Sequence, residues 1–321
     1  MLVRRDFSRQ PPDSTGSTAH AVTIGNFDGV HLGHQAILAQ VKAAARRLGI
    51  PSCVVTFEPH PRELFSPLSA PTRLSSLREK CELLFEHGID RVQVLRFNRA
   101  FANLSADEFI DRVLARGLNA KWVMIGDDFC FGAKRSGDFN HLKQAGQRLG
   151  FEVHAMPTVK AGEGEKAMRV SSSAVRELLS AGDVGRAAKL LGRPYSISGR
   201  VVHGDKLGRK LGWPTANVEL RHNRPPLTGI YAVRVEGLTG LNNRPLSGVA
   251  SLGIRPTVTN SGMVKLEVYI FDFDQDIYGK HIRVDFLKKI RDEEKFPDLD
   301  SLKKQIAQDA DDARRFLETL N

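Results

Sequence analysis

The sequence predicts two domains: an α/β domain with a mostly parallel sheet over residues 1–185, then a small antiparallel β-barrel with a C-terminal helix over residues 186–321. Three observations carry this. Through the first half, short apolar runs alternate with amphipathic helical stretches, the pattern of a parallel sheet with crossover helices. After Gly192-Arg193-Pro194 the text changes to short β-prone runs separated by Gly, Pro and Asn, the pattern of a small barrel. Finally, 321 residues with 41% apolar content suit two ordinary cores better than one.

In chain order, residues 21–24 (Ala-Val-Thr-Ile) read as a buried strand. The turn-rich segment Gly25-Asn26-Phe27-Asp28-Gly29 follows. From Gly33 the pattern is helical, with Ile37, Leu38 and Val41 at helical spacing. His31 and His34 sit at this handover, where free N–H groups and the positive end of the helix dipole suit an anion. Residues three apart on a helix face the same way, so the two imidazoles are expected to donate to one phosphate chain. The glycines let that chain approach the backbone.

Residues 52–57 read as a second strand, ending in Glu58-Pro59-His60-Pro61-Arg62. Such a loop lies at the carboxyl edge of the sheet, where open α/β sheets bind ligands. A helix over 77–87 ends at Gly88, and a third strand covers 90–97. Ser105 with Glu108 is a capping-box pattern opening a helix over 105–114. A fourth strand, 122–125, runs into loop 126–138, which holds Gly126, Asp128, Phe129, Phe131, Gly132 and Gly137. Its aromatics suit stacking on a ring. Ser171-Ser172-Ser173 then opens a helix carrying Arg176.

In the second half, strands are expected at 196–202, 229–235, 248–252, 265–271 and 281–286, with a helix over 299–317. The run 199–217 holds Gly204, Lys206, Gly208, Arg209, Gly212, Pro214, Thr215 and Asn217. It is not a Walker loop, but a threonine hydroxyl and an asparagine carbonyl are hard oxygen ligands suited to Mg²⁺ with phosphate. Strand alternation puts Leu266, Val268 and Ile270 on one face and Glu267, Tyr269 and Phe271 on the other. A carboxylate in that setting is a candidate general base.

Strand–GxFDxxHxGH–helix, from Gly25 to His34, resembles the nucleotidyltransferase superfamily, and in particular the bacterial bifunctional riboflavin kinase/FAD synthetase family. Loop 126–138 is similar to that family's nucleotide loop, and Ser171-Ser172 with Arg176 to its Ser-Ser-Thr-x-[IV]-Arg motif. The run ending Pro214-Thr215-Ala216-Asn217 resembles the riboflavin kinase signature. Asp276-Ile277-Tyr278-Gly279-Lys280, Ile290-Arg291 and Glu294-Lys295-Phe296 match further downstream.

The resemblance implies a Rossmann-like nucleotidyltransferase domain that adenylylates FMN with ATP to FAD, releasing pyrophosphate, and a barrel that phosphorylates riboflavin with ATP to FMN. It implies catalysis by His31, His34 and Arg176 in the first domain. ATP would lie there against Gly25, Asn26, Phe27, Asp28, Gly33, Asp128, Ser171 and Ser172, and the flavin against Phe57, His60, Pro61, Arg62 and Phe129. In the barrel it implies Glu267 as base, ATP on Gly204, Lys206, Gly208, Arg209, Gly212, Pro214, Thr215 and Asn217, Mg²⁺ on Thr215 and Asn217, and riboflavin near Arg291.

The net charge of +10 is dispersed and fits anionic partners, here phosphorylated small molecules. The alternative is a nucleic-acid-binding protein with a basic α/β domain and a barrel. That reading expects aromatics interleaved with Lys and Arg on the barrel strands. Instead Tyr269, Phe271 and Phe273 alternate with Ile270, Asp272 and Asp274, so no nucleic-acid partner is expected. No run of about 18 apolar residues occurs, so no membrane span is expected. Residues 1–20 lack the apolar core of a secretory signal. Cys53, Cys81 and Cys130 form no CxxC pair, which favours a reducing cytoplasm.

Overall fold

The structure, a computed structural model, describes residues 2–5, 18–162, 168–204, 208, 212–220, 224–238, 244–255 and 263–320. The chain divides into two compact units: 1–71 with 77–171, and 72–76 with 172–321.

The first unit is built on a six-stranded parallel sheet in the order β1-β4-β3-β2-β5-β6. Its strands are β1 (Leu2–Arg5), β2 (His20–Ile24), β3 (Ser52–Glu58), β4 (Arg91–Arg96), β5 (Ala120–Gly126) and β6 (Glu152–Met156). The sequence reading found the middle four. It passed over β1, a short exposed edge strand, and β6, whose residues carry little burial signal.

The crossovers contain α1 (Leu32–Leu48), α2 (Pro61–Phe65), α3 (Leu77–Glu86), α4 (Arg99–Ala102), α5 (Ala106–Phe109) and α6 (Phe139–Leu149). Ser105 and Glu108 form the expected capping box, and α5 continues as a π-helix, Ile110–Ala115. One face of the sheet packs Val54, Val92 and Val94 against Leu38 of α1 and Leu84 of α3. The other packs Val22, Val55 and Val123 against Phe109, Ile110 and Leu142. Burial of both faces is why the strands read as continuous apolar runs.

Strand order reverses between β2 and β5, and ligands of open α/β sheets bind in the crevice outside the carboxyl ends at such a reversal. The chain leaves β2 into Gly25–His34 and leaves β5 into loop 126–138, so both motifs flank it.

The second unit opens with α7 (Ser172–Ser180) and α8 (Val184–Leu191). It continues as a closed antiparallel barrel, order β10-β13-β12-β11-β14-β9. The strands are β9 (Tyr195–Val202), β10 (Thr215–Glu219), β11 (Gly229–Glu236), β12 (Leu246–Arg255), β13 (Met263–Ile270) and β14 (His281–Arg291). The last helix, α9 (Leu299–Glu318), lays Ala310, Ala313 and Leu317 on the outer face against Ile230, Ala232 and Val249. Six strands close the barrel where the sequence suggested five. The missing one is β10, whose Pro-Thr-Ala-Asn start reads as loop chemistry but is a strand.

Candidate active sites

In the first unit the geometry begins with backbone strain. Phe27, Gly29 and Val30 all take positive φ (48°, 79° and 43°). For Phe and for β-branched Val this conformation costs about 1–3 kcal/mol each. Complete burial of both side chains offsets that cost. Gln35 Nε2 donates to the Val30 carbonyl (2.9 Å), and Gly25 N–H donates to the Val55 carbonyl (3.0 Å).

The loop ends at His31, the N-cap of α1, whose Nδ1 accepts from the His34 N–H (3.3 Å). The His31 and His34 rings stack at 3.7 Å and 14°, and Phe27 tilts against His34 at 4.9 Å. A Cβ at Gly33 would press on the His31 ring at 3.2 Å, so glycine there leaves the ring its place.

His31 stands just outside the helix and spends Nδ1 on capping it, while its ring stays stacked on that of His34. A neutral His31 therefore carries its proton on Nε2, which remains a donor. His34 is held well below its ordinary pKa, first by burial and then by the nearby His31 and Lys80. His34 Nδ1 and Asn26 Oδ1 are buried and make no hydrogen bond in the structure, so both retain polar capacity beside the helix N-terminus.

The other residues of the first site take different places. Asp28 is buried in the loop. Asp128 pairs with Arg169 (2.8 Å), both largely exposed. Phe129 stacks on Phe131 at 5.9 Å and packs against the core. Phe57 is buried in the core against Phe97 and Phe101. His60 caps α2, its Nδ1 accepting from Arg62 N–H, and Pro61 is the first helical residue. Ser171 ends the first unit. Ser172 and Arg176 lie on α7 in the second, where Arg176 Nε donates to the Thr72 carbonyl (2.5 Å).

Lys80, on α3, escaped the sequence reading. It is 5% exposed, and its Nζ lies 3.5 Å from Thr56 Oγ1. Its signal was a charged residue on the apolar stripe of Leu77, Cys81 and Leu84.

The barrel site rests on strand register. Asn217 pairs with Glu267 and Thr215 with Tyr269 across β10 and β13, so these four side chains share one face. That face lines a cavity of about 650 Å³ beside α9, with Tyr269, Arg291, Phe296 and Ile306 among its walls. A second cavity, about 430 Å³, opens at the barrel mouth against Val201, Ala216, Val268 and Tyr278. Thr215 lines both.

Asn217 is buried, and its Oδ1 makes no hydrogen bond in the structure. A Cβ at Gly204 would overlap the Asn217 amide. One at Gly208 would overlap the Trp213 carbonyl and come within 3.1 Å of Thr215 Oγ1. Gly212 holds φ +93° beside Pro214. Lys206 and Arg209 lie outside the described residues.

Glu267 is half-buried and salt-bridged to Lys265 Nζ (2.7 Å), which orients the carboxylate. Arg291 does not stand open to a ligand as a free fork. Asp309 of α9 accepts from its Nε (2.8 Å) and Nη2 (2.7 Å), and its Nη1 donates to the Asp292 carbonyl. Those bonds to Asp309 raise Arg291 above its ordinary pKa. Arg291 is thus a fixed wall of the cavity. Sequence reasoning missed Asp309 and Lys265, though each left a trace: a carboxylate one turn before Ala313 on a buried helix face, and an opposite charge two residues before Glu267.

The sites define a two-domain phosphate-transfer enzyme, with an α/β nucleotide domain and a barrel kinase domain. Comparisons narrow this. The FAD synthetase family model matches residues 13–174 and the riboflavin kinase model residues 191–317. A bifunctional riboflavin kinase/FMN adenylyltransferase of Pseudomonas fluorescens is 48% identical over 98% of this chain and 97% of its own length. Its counterpart in Escherichia coli K12 is 48% identical over 92% of each. A crystal structure described as a macrolide-efflux protein from Streptococcus pneumoniae superposes with a TM-score of 0.77 at 32% identity, covering 96% of this chain and 97% of that one. The chain belongs to the bifunctional riboflavin kinase/FMN adenylyltransferase family. Its reactions are riboflavin plus ATP to FMN, then FMN plus ATP to FAD and pyrophosphate. Nothing in these comparisons supports the nucleic-acid alternative. No helix among the described residues is long and apolar enough to cross a membrane.

Proposed function

We propose that residues 186–321 carry the kinase step with Glu267 as base, and that residues 1–185 carry adenylyl transfer on the His31–His34 pair. The observation that supports the first assignment most is that Glu267, Tyr269 and Thr215 line the larger cavity from one face, with Asn217 paired to Glu267 on that same face. Riboflavin in that cavity would present its 5′-hydroxyl to Glu267. The carboxylate takes the hydroxyl proton, the oxygen attacks the γ-phosphorus of ATP, and ADP leaves. The second cavity, which shares Thr215, suits the nucleotide.

Thr215 and Asn217 offer hard oxygens, and the unpartnered Asn217 Oδ1 fits a Mg²⁺ ion. When bound, Mg²⁺ supplies neutralisation of phosphate charge. Arg291, clamped by Asp309, orients the flavin.

In the α/β domain, an FMN phosphate oxygen attacks the α-phosphorus of a second ATP and pyrophosphate leaves. No covalent intermediate is needed, so alignment and charge stabilisation do the catalysis. Gly25, Asn26 and Gly33 let the triphosphate approach the start of α1, where His31 and a neutral His34 meet it. Ser171 borders the leaving pyrophosphate. Asp128 and Phe129 contact the nucleotide and flavin, and Pro61 and Arg62 border the flavin. Phe57, buried in the core, acts by shaping that border. The three free cysteines suit a reducing compartment, the cytoplasm.

A chromatographic time course with riboflavin, ATP and Mg²⁺ tests the reading. FMN rising and then giving way to FAD is expected. FMN that accumulates without FAD would overturn the adenylylation assignment, and no flavin product would overturn both.

A further inference from the structure

Among the buried charged side chains of the first unit that the mechanism above leaves unused is Lys80. It projects from α3 and is almost fully enclosed, and a lysine is rarely enclosed without a purpose. Its Nζ meets Thr56 Oγ1 at 3.5 Å, at the carboxyl end of β3. Thr56 Oγ1 in turn donates to the carbonyl of Asn26 (3.2 Å), inside the strained loop that sets the histidines. From α3, then, the Lys80 side chain reaches the Asn26 backbone by way of the Thr56 hydroxyl.

We propose that Lys80 is a positioning residue for adenylyl transfer: through Thr56 it fixes the Asn26 backbone, and with it the strained loop that carries the histidines. The inference rests on the His31–His34 assignment above. The geometry is that of a support behind the site. Asn26 and His34 both hold polar atoms that make no hydrogen bond in the structure, and Lys80 lies close to the segments carrying both.

The electrostatics agree. The titratable and charged groups acting on His34 are His31, from the loop, and Lys80, from α3, and both disfavour a second positive charge there. A cationic His34 would bind triphosphate more tightly in the ground state. A neutral one differentiates less between substrate and product, and so lets pyrophosphate leave.

The test uses the full-length protein, with both activities measured on each preparation. In Lys80→Met, adenylylation kcat/KM should fall by roughly tenfold or more, by analogy with lost electrostatic donors. Its acid limb should move to higher pH, because one of the charges holding His34 down is gone. Riboflavin kinase activity should stay within about twofold, which serves as the folding control. Lys80→Arg keeps the charge and should restore the limb. An unmoved acid limb, or a parallel fall in kinase activity, would overturn the proposal. His34→Ala in the same assay separates the two layers: if it leaves adenylylation intact, the site assignment itself fails, whatever Lys80 does.

Discussion

The two proposed sites are built by opposite constructions. In the α/β unit, one continuous stretch from Gly25 to His34 folds back with three positive φ values and delivers its histidines to a helix start. In the barrel, the corresponding groups come from separate strands and meet only because Asn217 pairs with Glu267. The first site is fixed by backbone conformation and the second by register. A loop site therefore tolerates change in the sheet around it but not in its own glycines and capping residue. A register site tolerates loop change, but a slip of one residue between β10 and β13 would put Thr215 and Asn217 on the opposite face from Glu267.

The largest expected effect separates the two reactions. Glu267→Gln should lower kinase turnover by roughly 10²–10⁴, the usual worth of a general base, and leave adenylylation of supplied FMN intact. Steady-state assays with riboflavin and with FMN read this directly. An equal loss of both would break the two-site comparison. The mirror variant, His34→Ala, removes one electrostatic partner and should cost adenylylation roughly 10²–10³. Its kinase rate should not change, as initial rates of FMN formation will show.

The same contrast explains what was legible. The loop site could be read because its parts are contiguous: Gly25, Phe27, His31, Gly33 and His34 carry their spacing in the text. Even there the capping was not legible, since nothing in a His-x-x-His spacing tells that the first ring accepts from the second residue's N–H. Phe57 and His60 were legible as positions near the sheet edge but not as a core aromatic and a cap. In the barrel, Thr215, Asn217 and Glu267 could each be picked out, but not their pairing, because β10 was hidden by a proline and glycines that signal a loop. Lys80 and Asp309 went unread for a common reason. Each sits on an apolar helical stripe where a charge looks like a break in the pattern, and only the partner across space gives it a meaning.

Register is sharpened by a smaller change. The Gly204 backbone lies against the Asn217 amide with no room for a methyl group. In Gly204→Ala the amide must move while the barrel strands stay paired. A displacement of about 1 Å in a positioning group can cost roughly 10²-fold, so kinase kcat/KM should fall by up to that factor, with circular dichroism and adenylylation unchanged. Wild-type kinase rates would show that Asn217 does not hold substrate or metal. A fall in adenylylation as well would show that the defect is not local to the barrel.

The gentlest contrast is in acid. His20 and His34, both in the α/β unit, are held below their ordinary value of 6.5, with burial the largest cause in each. As pH falls through 6.5, the unfolded chain takes up protons that the folded unit resists, so the unit loses stability from there downward. In the barrel, burial raises Asp285 above 3.8. Its folded form binds a proton more readily than the unfolded chain, so its contribution becomes more favourable as pH falls toward that range. Acidification should therefore lower the α/β melting transition sooner and more steeply than the barrel transition. Calorimetry from pH 7.5 to about 5, with the residual activities after heating used to assign each transition, checks this. A barrel that melts first on acidification would mean that the buried histidines do not govern the acid limit of the α/β unit, and that strained loop and strand register differ in chemistry but not in their response to protons.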